Sequence, residues 1–445
     1  MNNPESDLLA KIRQQFDTAP YPRNPLEESP KDDANLLFIH NLITPYYLRN
    51  QKIPTTEGKI ILDAGCGTGY ASLVLALANP GAKIVGIDLS ETSVNLARER
   101  LKYHNIHNAE FHAISIEDLP QLGWQFDYIN ADEVLYLLPD PATGLQGLRT
   151  VLNPEGIIRT NLHHHWQRFP VFQAQKVFQE MGLGFAADNL TQEAKIESVR
   201  QSMTALKNQV WLKRITWDAE WETDAEPILL NYLLTGDKGY TVPEMFELLR
   251  EAQLEFISMV NWREWELLDL FKDPDNLPAF LAISLPELSV EERLHVFELL
   301  HPVHRLMDFW CGHTNQSQPF VPLSDWSERD WHNALVELHP QLKTLQVKEY
   351  LIDCITHHTP FEISRYLQVP TITPILIDSS IAPCLLPLWD EPQSVRALVK
   401  RWLQISPVNP ATLEPVSEEQ ASSEVIELLQ KLETFLYVLL ARDDN

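Results

Sequence analysis

The chain has 445 residues, 44% apolar and 22% charged, and carries a net charge of −27. The length implies two or three domains, and the acidity repels phosphate backbones and sets nucleic acid aside as a partner. Four unpaired cysteines without a C-x-x-C argue against a structural zinc site. With no secretory pattern and no apolar run of membrane-span length, they lead to an expected cytoplasmic location, no membrane and no metal.

Residues 6 to 16 place Leu8, Leu9, Ile12 and Phe16 near helical spacing. "TAPYPRNPLEESP" then carries four prolines and reads as an extended strap lying over something. "NLLFIHNLITPYYLRN" restores a helical pattern, and a strand–helix alternation begins. "KIILDAG" is a buried strand, and "YASLVLALANPG" a helix closed by Pro80 and Gly81. "KIVGIDL" is the second strand; Ser90 then caps an amphipathic helix, "SETSVNLARERLKYHNI". "AEFHAIS" and "FDYINAD" are the third and fourth strands, "PATGLQGLRTVLN" a helix and "GIIRTNLH" the fifth strand. This rhythm predicts an α/β fold, a parallel sheet with helices on both faces. Its ligand crevice lies at the carboxyl ends of the strands.

After residue 166 the rhythm loosens. Residues 170 to 235 read as a helical insertion, and 240 to 261 as helix then strand, a late strand of the same sheet. Beyond 265 the pattern is helical, as in "VEERLHVFELLHPVHRLMDFW", with proline-rich linkers around 315–325 and 405–415. The end, "SSEVIELLQKLETFLYVLLARDDN", reads as an amphipathic helix followed by a short strand. The division is therefore 1–57, helical segment and strap; 58–265, an α/β domain with its insertion; and 266–445, a mostly helical C-terminal domain, winged-helix-like at its end.

The stretch "ILDAGCGTGY" raises the choice between a dinucleotide and another nucleotide cofactor. Glycines at such a turn let backbone approach a ligand, and the next helix presents its N-terminus. In the dinucleotide fingerprint the third glycine follows the second by three residues. Here that place is Tyr70, counted from Gly65, or Ser72, counted from Gly67. The loop leans away from NAD.

"DAGCGTG" with Asp63 before the glycines resembles motif I of class I S-adenosylmethionine-dependent methyltransferases. "VGIDLS", "SIEDLP", "FDYINADEVLYLLPDP" and "LRTVLNPEGII" continue the resemblance in order, and "FDTAPYPRNPL" is similar to an N-terminal segment of a bacterial subgroup. The resemblance covers roughly residues 12 to 260. It implies a Rossmann-like seven-stranded, mostly parallel sheet, with S-adenosylmethionine as cofactor. It implies that Gly65, Gly67 and Gly69 pack against the methionine part and ribose, and that Asp63 faces the amino group, directly or through water. Asp88 would accept the ribose hydroxyls and Leu89 lie on the adenine. Ser115 and Ile116 would flank the adenine edge. Many relatives have Asp where Ser115 stands, so Glu117 or Asp118 is assigned the exocyclic amine. Asn130 would line the cavity near the methyl group.

For the chemistry, "NADEVLY" lacks the Pro-Pro-aromatic that follows Asn or Asp in many methyltransferases of amide or exocyclic amino nitrogens, which disfavours that chemistry. "VLYLLPD" stands where many small-molecule relatives have paired histidines, leaving Tyr136 as a substrate contact or a packing aromatic. "NLHHHW" follows the fifth strand. On an extended segment His163 and His165 share a face, so one of them is a candidate base. Tyr21 and Arg23 of the strap are placed to close over the cofactor. The acceptor is a small molecule or a protein group, and the C-terminal domain is assigned to substrate recognition or homodimerisation. Two rival readings stand beside methyl transfer: an NAD(P)-dependent oxidoreductase, and a catalytically silent S-adenosylmethionine-binding regulator.

Overall fold

The computed structural model describes residues 13, 17, 20–183, 190–234, 236–316, 320–369, 373–409 and 411–442. The helix expected over 6–16 lies outside the described residues apart from Arg13, as do parts of both proline-rich stretches.

Two short helices, α1 (Ala34–His40) and α2 (Ile43–Asn50), lead into the sheet. There follow β1 (Ile60–Ala64), α3 (Tyr70–Ala78), β2 (Lys83–Asp88), α4 (Glu91–Tyr103), β3 (Ala109–Ala113) and β4 (Phe126–Ala131). Next come α5 (Pro141–Thr150) and the long β5 (Leu152–His163). Local chemistry explains the boundaries. Ser90 Oγ accepts from Ser93 N at 3.1 Å and starts α4. Asp140 caps α5, with Pro141 in its first turn.

The helical insertion is α6 (His165–Glu180), α7 (Gln192–Ala205), α8 (Trp211–Thr216) and α9 (Glu226–Asn231). Then α10 (Val242–Glu251), opened by a Thr241–Glu244 capping box, leads to β6 (Leu254–Met259). Two more helices, α11 (Ala279–Ser284) and α12 (Val290–Leu300), precede β7 (Leu306–His313).

The seven strands are ordered β3-β2-β1-β4-β5-β7-β6. β1 to β5 pair in parallel, and β7 runs antiparallel to both β5 and β6. The strand order reverses between β1 and β4, which opens a crevice at their carboxyl ends. β7 corrects the helical reading of "LHPVHRLMDFW". The sheet takes its seventh strand from beyond residue 265. The strand's second half is continuously buried and lacks alternation, and a short apolar run of that kind does not separate strand from helix by pattern.

The C-terminal region carries α13 (Glu328–Asn333), β8 (Leu335–Leu338), α14 (Leu345–His357), β9 (Phe361–Glu362) and β10 (Leu376–Ile377). It ends with β11 (Gln393–Ser394), α15 (Val395–Ile405), α16 (Glu418–Glu433) and β12 (Val438–Ala441). β11, β8 and β12 form a small antiparallel sheet. This region shares one apolar core with α1 and α2, where Phe38, Leu42 and Tyr47 pack among its buried side chains. Tyr47 donates its hydroxyl to Glu433 at 2.9 Å, and Thr44 Oγ1 lies 3.2 Å from His339 Nε2. No helix among the described residues is long and apolar enough to cross a membrane.

Candidate functional site

A cavity of about 840 Å³ opens at the switch point. Gly65 and Gly67 form its floor, with Asp63 and Asp88 at the ends of β1 and β2. Asp63 is fully buried. Its two oxygens accept from Ser72 Oγ at 2.5 Å and Asn130 Nδ2 at 2.9 Å. Ser72 thus uses the place of a fingerprint's third glycine to hold the acid. Burial lifts Asp63 to about 6, against those two hydrogen bonds. Asp88 accepts from Gly67 N at 3.0 Å and Ser90 N at 2.8 Å, and burial raises it too.

The proline-rich strap lies over the glycine loop. Thr68 donates its N–H to Tyr21 O at 3.1 Å and its hydroxyl to Pro22 O at 2.6 Å. Arg100 of α4 donates to Thr68 O, Pro25 O and Asn24 O, clamping loop and strap together. Gly67 has a φ of 49°, and a Cβ there would lie 2.2 Å from Tyr21 O, so the strap seats only on a glycine. Tyr21 lines the cavity, whereas Arg23 is exposed and takes no part in the lining.

Leu89, Ser115, Ile116 and Glu117 line one end. Asp118 does not; it accepts from Ser115 Oγ at 2.9 Å and Gln121 at 2.8 Å and acts on the cavity through Ser115. Gly69 is also outside the lining, serving as the left-handed N-cap of α3, close against Ala97. Ser93 is 1% exposed and lines the cavity, yet its hydroxyl has no hydrogen-bond partner. An orphaned buried hydroxyl facing a cavity is a ready contact for a polar ligand.

At the other end stand Tyr136, His163, Glu133 and Arg305. His163 closes β5, and its Nδ1 meets Asp237 Oδ1 at 2.5 Å. Asp237 also accepts from Arg168 Nη2 and Gln175 Nε2, both at 2.8 Å. Burial alone would raise Asp237. The hydrogen bond from His163 and the Arg168 charge outweigh it, and the carboxyl is held below its usual range. Burial lowers His163 despite Asp237. Both directions favour a neutral imidazole against an ionised carboxylate. The imidazole donates Nδ1–H backward and turns the Nε2 lone pair forward, where Arg305 Nη1 donates at 3.3 Å. Arg305 also pairs with Glu133. Tyr136 stacks on His163 with ring centroids 3.8 Å apart.

His165 does not share the face of His163. The strand ends at His163, His164 is the N-cap, and His165 begins α6 among Trp166, Phe169 and Phe172, away from the cavity. The even spacing of an extended segment stops where the helix starts. His164 is buried against Glu298 at 2.9 Å. The sequence does not single out Asp237, Glu133 or Arg305. An acid after the helical insertion and an arginine before a hidden strand carry no local signal. Among the described residues no group of three His, Cys, Asp or Glu side chains is placed to hold a metal.

Residues 55–230 match a family model described as a methyltransferase domain. An uncharacterized protein from Synechococcus sp. is 27% identical over 319 residues, 71% of this chain and 73% of that one. A ubiquinone biosynthesis O-methyltransferase from Acinetobacter baylyi is 35% identical over 100 residues, 22% of this chain. The match spans about 41% of that relative's length. Among solved structures, PKMT2 from Rickettsia typhi in complex with AdoHcy shares the fold. It has a TM-score of 0.57 and 17% identity, and the match covers 91% of this chain and 76% of that one.

Proposed function

Because this chain is a class I S-adenosylmethionine-dependent methyltransferase, we propose that it delivers the methyl group to a proton-bearing nucleophile, on a small molecule or a protein, held beside His163. The observation that carries the reading is the His163–Asp237 pair at the wall of the cavity.

The residues present fit the cofactor. The glycine floor gives room for backbone approach, and the unpartnered Ser93 hydroxyl offers a contact beside Asp88. Asp63, Gly65 and Gly67 hold the methionine part, Asp63 facing its ammonium. Asp88 takes the ribose hydroxyls, Leu89, Ser115 and Ile116 take the adenine, and Asn130 orients Asp63. Gly69 and Asp118 serve indirectly, through the helix start and through Ser115. When bound, the cofactor supplies a sulfonium methyl group open to in-line displacement.

The chain's own part is positioning and proton removal. Asp237 fixes the His163 tautomer, Tyr136 fixes the ring plane, and Nε2 takes the acceptor's proton once the acceptor displaces the Arg305 N–H from it. Tyr21, on the clamped strap, screens the site from water. The test is single-turnover methylation with His163→Gln. The expected result is strongly reduced turnover with unchanged affinity for S-adenosylhomocysteine. Turnover at the parent rate overturns the assignment of His163.

A further inference from the structure

The end of the cavity beside His163 has a one-sided charge. Asp132, Glu133, Asp224 and Glu226 line it, against the guanidinium of Arg305. Arg305 is already engaged by Glu133 and His163. Asp132 accepts from Asn161, with Arg159 4.0 Å away, and Asp224 caps Glu226 N at 3.0 Å. Glu226, at the start of α9, has neither an ion pair nor a side-chain hydrogen bond among the described residues. Its charge acts, with that of Glu133, on the phenol of Tyr21.

Two aromatic faces, Tyr21 and Tyr136, flank this acidic end, and Pro227, Leu230 and Leu234 supply an apolar wall. Carboxylates and aromatic faces together favour a cation with an apolar body. A carboxylate acceptor would meet four like charges, and a neutral hydroxyl could donate a hydrogen bond to Glu226 but would leave it without a counter-charge.

We propose that the methyl acceptor is an amine, entering as an ammonium ion with its head between Glu226 and Glu133 under Tyr21 and its apolar body along Pro227, Leu230 and Leu234. This rests on the reading of His163 as base, since an ammonium nitrogen must lose a proton before it attacks. The proton passes to His163 Nε2 and then to water. The freed nitrogen lone pair forms the N–C bond as the sulfonium S–C bond breaks, and that electron pair stays on sulfur. The product leaves as a methylated ammonium with S-adenosylhomocysteine. His163 and Glu226 border one cavity, as recognition and deprotonation of one amine require.

The experiment uses the full chain saturated with S-adenosylhomocysteine and titrated with benzylamine, benzyl alcohol and benzoate. Benzylamine is expected to bind roughly tenfold tighter than either, and Glu226→Gln to remove that preference while keeping cofactor affinity. Benzyl alcohol or benzoate binding as well as benzylamine, or a Glu226→Gln variant that keeps the preference, overturns the proposal. Methylation of benzylamine against poly-L-lysine, read by mass spectrometry, separates a free amine from one carried on a polypeptide. The two readings fail separately. An intact benzylamine preference with full turnover in His163→Gln removes the base and leaves the amine. Lost preference, with His163-dependent turnover of another nucleophile, removes the amine and leaves the base.

Discussion

Asn130 of β4 donates its side-chain N–H to Asp63 of β1 at 2.9 Å, directly across the point where the strand order reverses. Its carbonyl in turn accepts from Arg159 Nη1 at 3.4 Å, which fixes the amide's orientation. Asn130→Asp would place a second carboxylate against Asp63 and drive one of them to protonate. The expected result is weaker binding of S-adenosylhomocysteine, restored in part at higher pH, measured by calorimetry.

Asp63 itself predicts a pH dependence. Its carboxyl is lifted to about 6 by burial, and in the proposed complex only the ionised form pairs with the cofactor's ammonium. Affinity is therefore full above that value and lost as pH falls through it. Between pH 7 and 5 binding of S-adenosylhomocysteine should weaken roughly tenfold. In Asp63→Asn the profile should be flat over that window; a slope that survives the substitution removes Asp63 from the ammonium.

Asp88 carries two jobs on one carboxylate. It accepts from Gly67 N and Ser90 N and, in the proposed complex, from the ribose. Asp88→Ala should weaken S-adenosylhomocysteine by roughly 1.5 to 3 kcal/mol, the range for hydrogen bonds to a charged group. Unchanged affinity by calorimetry would sink the ribose assignment.

The His163–Asp237 pair predicts a rate effect without a binding effect. In Asp237→Asn the imidazole loses the acceptor that sets its tautomer. Turnover should fall by roughly 10²- to 10⁴-fold, the span for a positioned general base. Cofactor affinity should stay put, because Asp237 takes no part in lining the cavity. A parallel loss of both would indicate collapse of the insertion rather than a base.

β7 predicts a limit on dissection. Trp310 is fully buried, donating to Tyr128 at 3.1 Å, and Trp310→Ala should cost about 3–5 kcal/mol, read by denaturant unfolding. Truncation after residue 265 removes β7 and the partner of Arg159, Asp308 at 2.6 Å. That fragment should lack a cooperative thermal transition by circular dichroism.

What was legible in the sequence was local. The glycine turn, Asp63, Asp88 and the Ser90 cap each follow from chemistry within a few residues, and the structure puts them at the ends of β1 and β2. The fifth strand's end was readable too, but not which histidine faces inward, because the strand stops within the run of three. The partners of His163 lie 74 and 142 residues away. Asp118 and Gly69 sit at the motif positions yet lie outside the cavity lining, because motif position does not reveal that the Asp118 carboxylate turns to Ser115 Oγ or that Gly69 packs as a cap against Ala97.

The place of β7 also sets an order of events during synthesis. It is the last of the seven strands to be made, yet it inserts between β5 and β6. Until residue 313 has been made, β5 has an open edge and the buried guanidinium of Arg159 lacks its Asp308 counterion. β6, already made, lacks its native neighbour. A nascent chain paused between 260 and 306 therefore presents a strand edge that any extended segment can occupy, the form in which this protein is most exposed to mispairing.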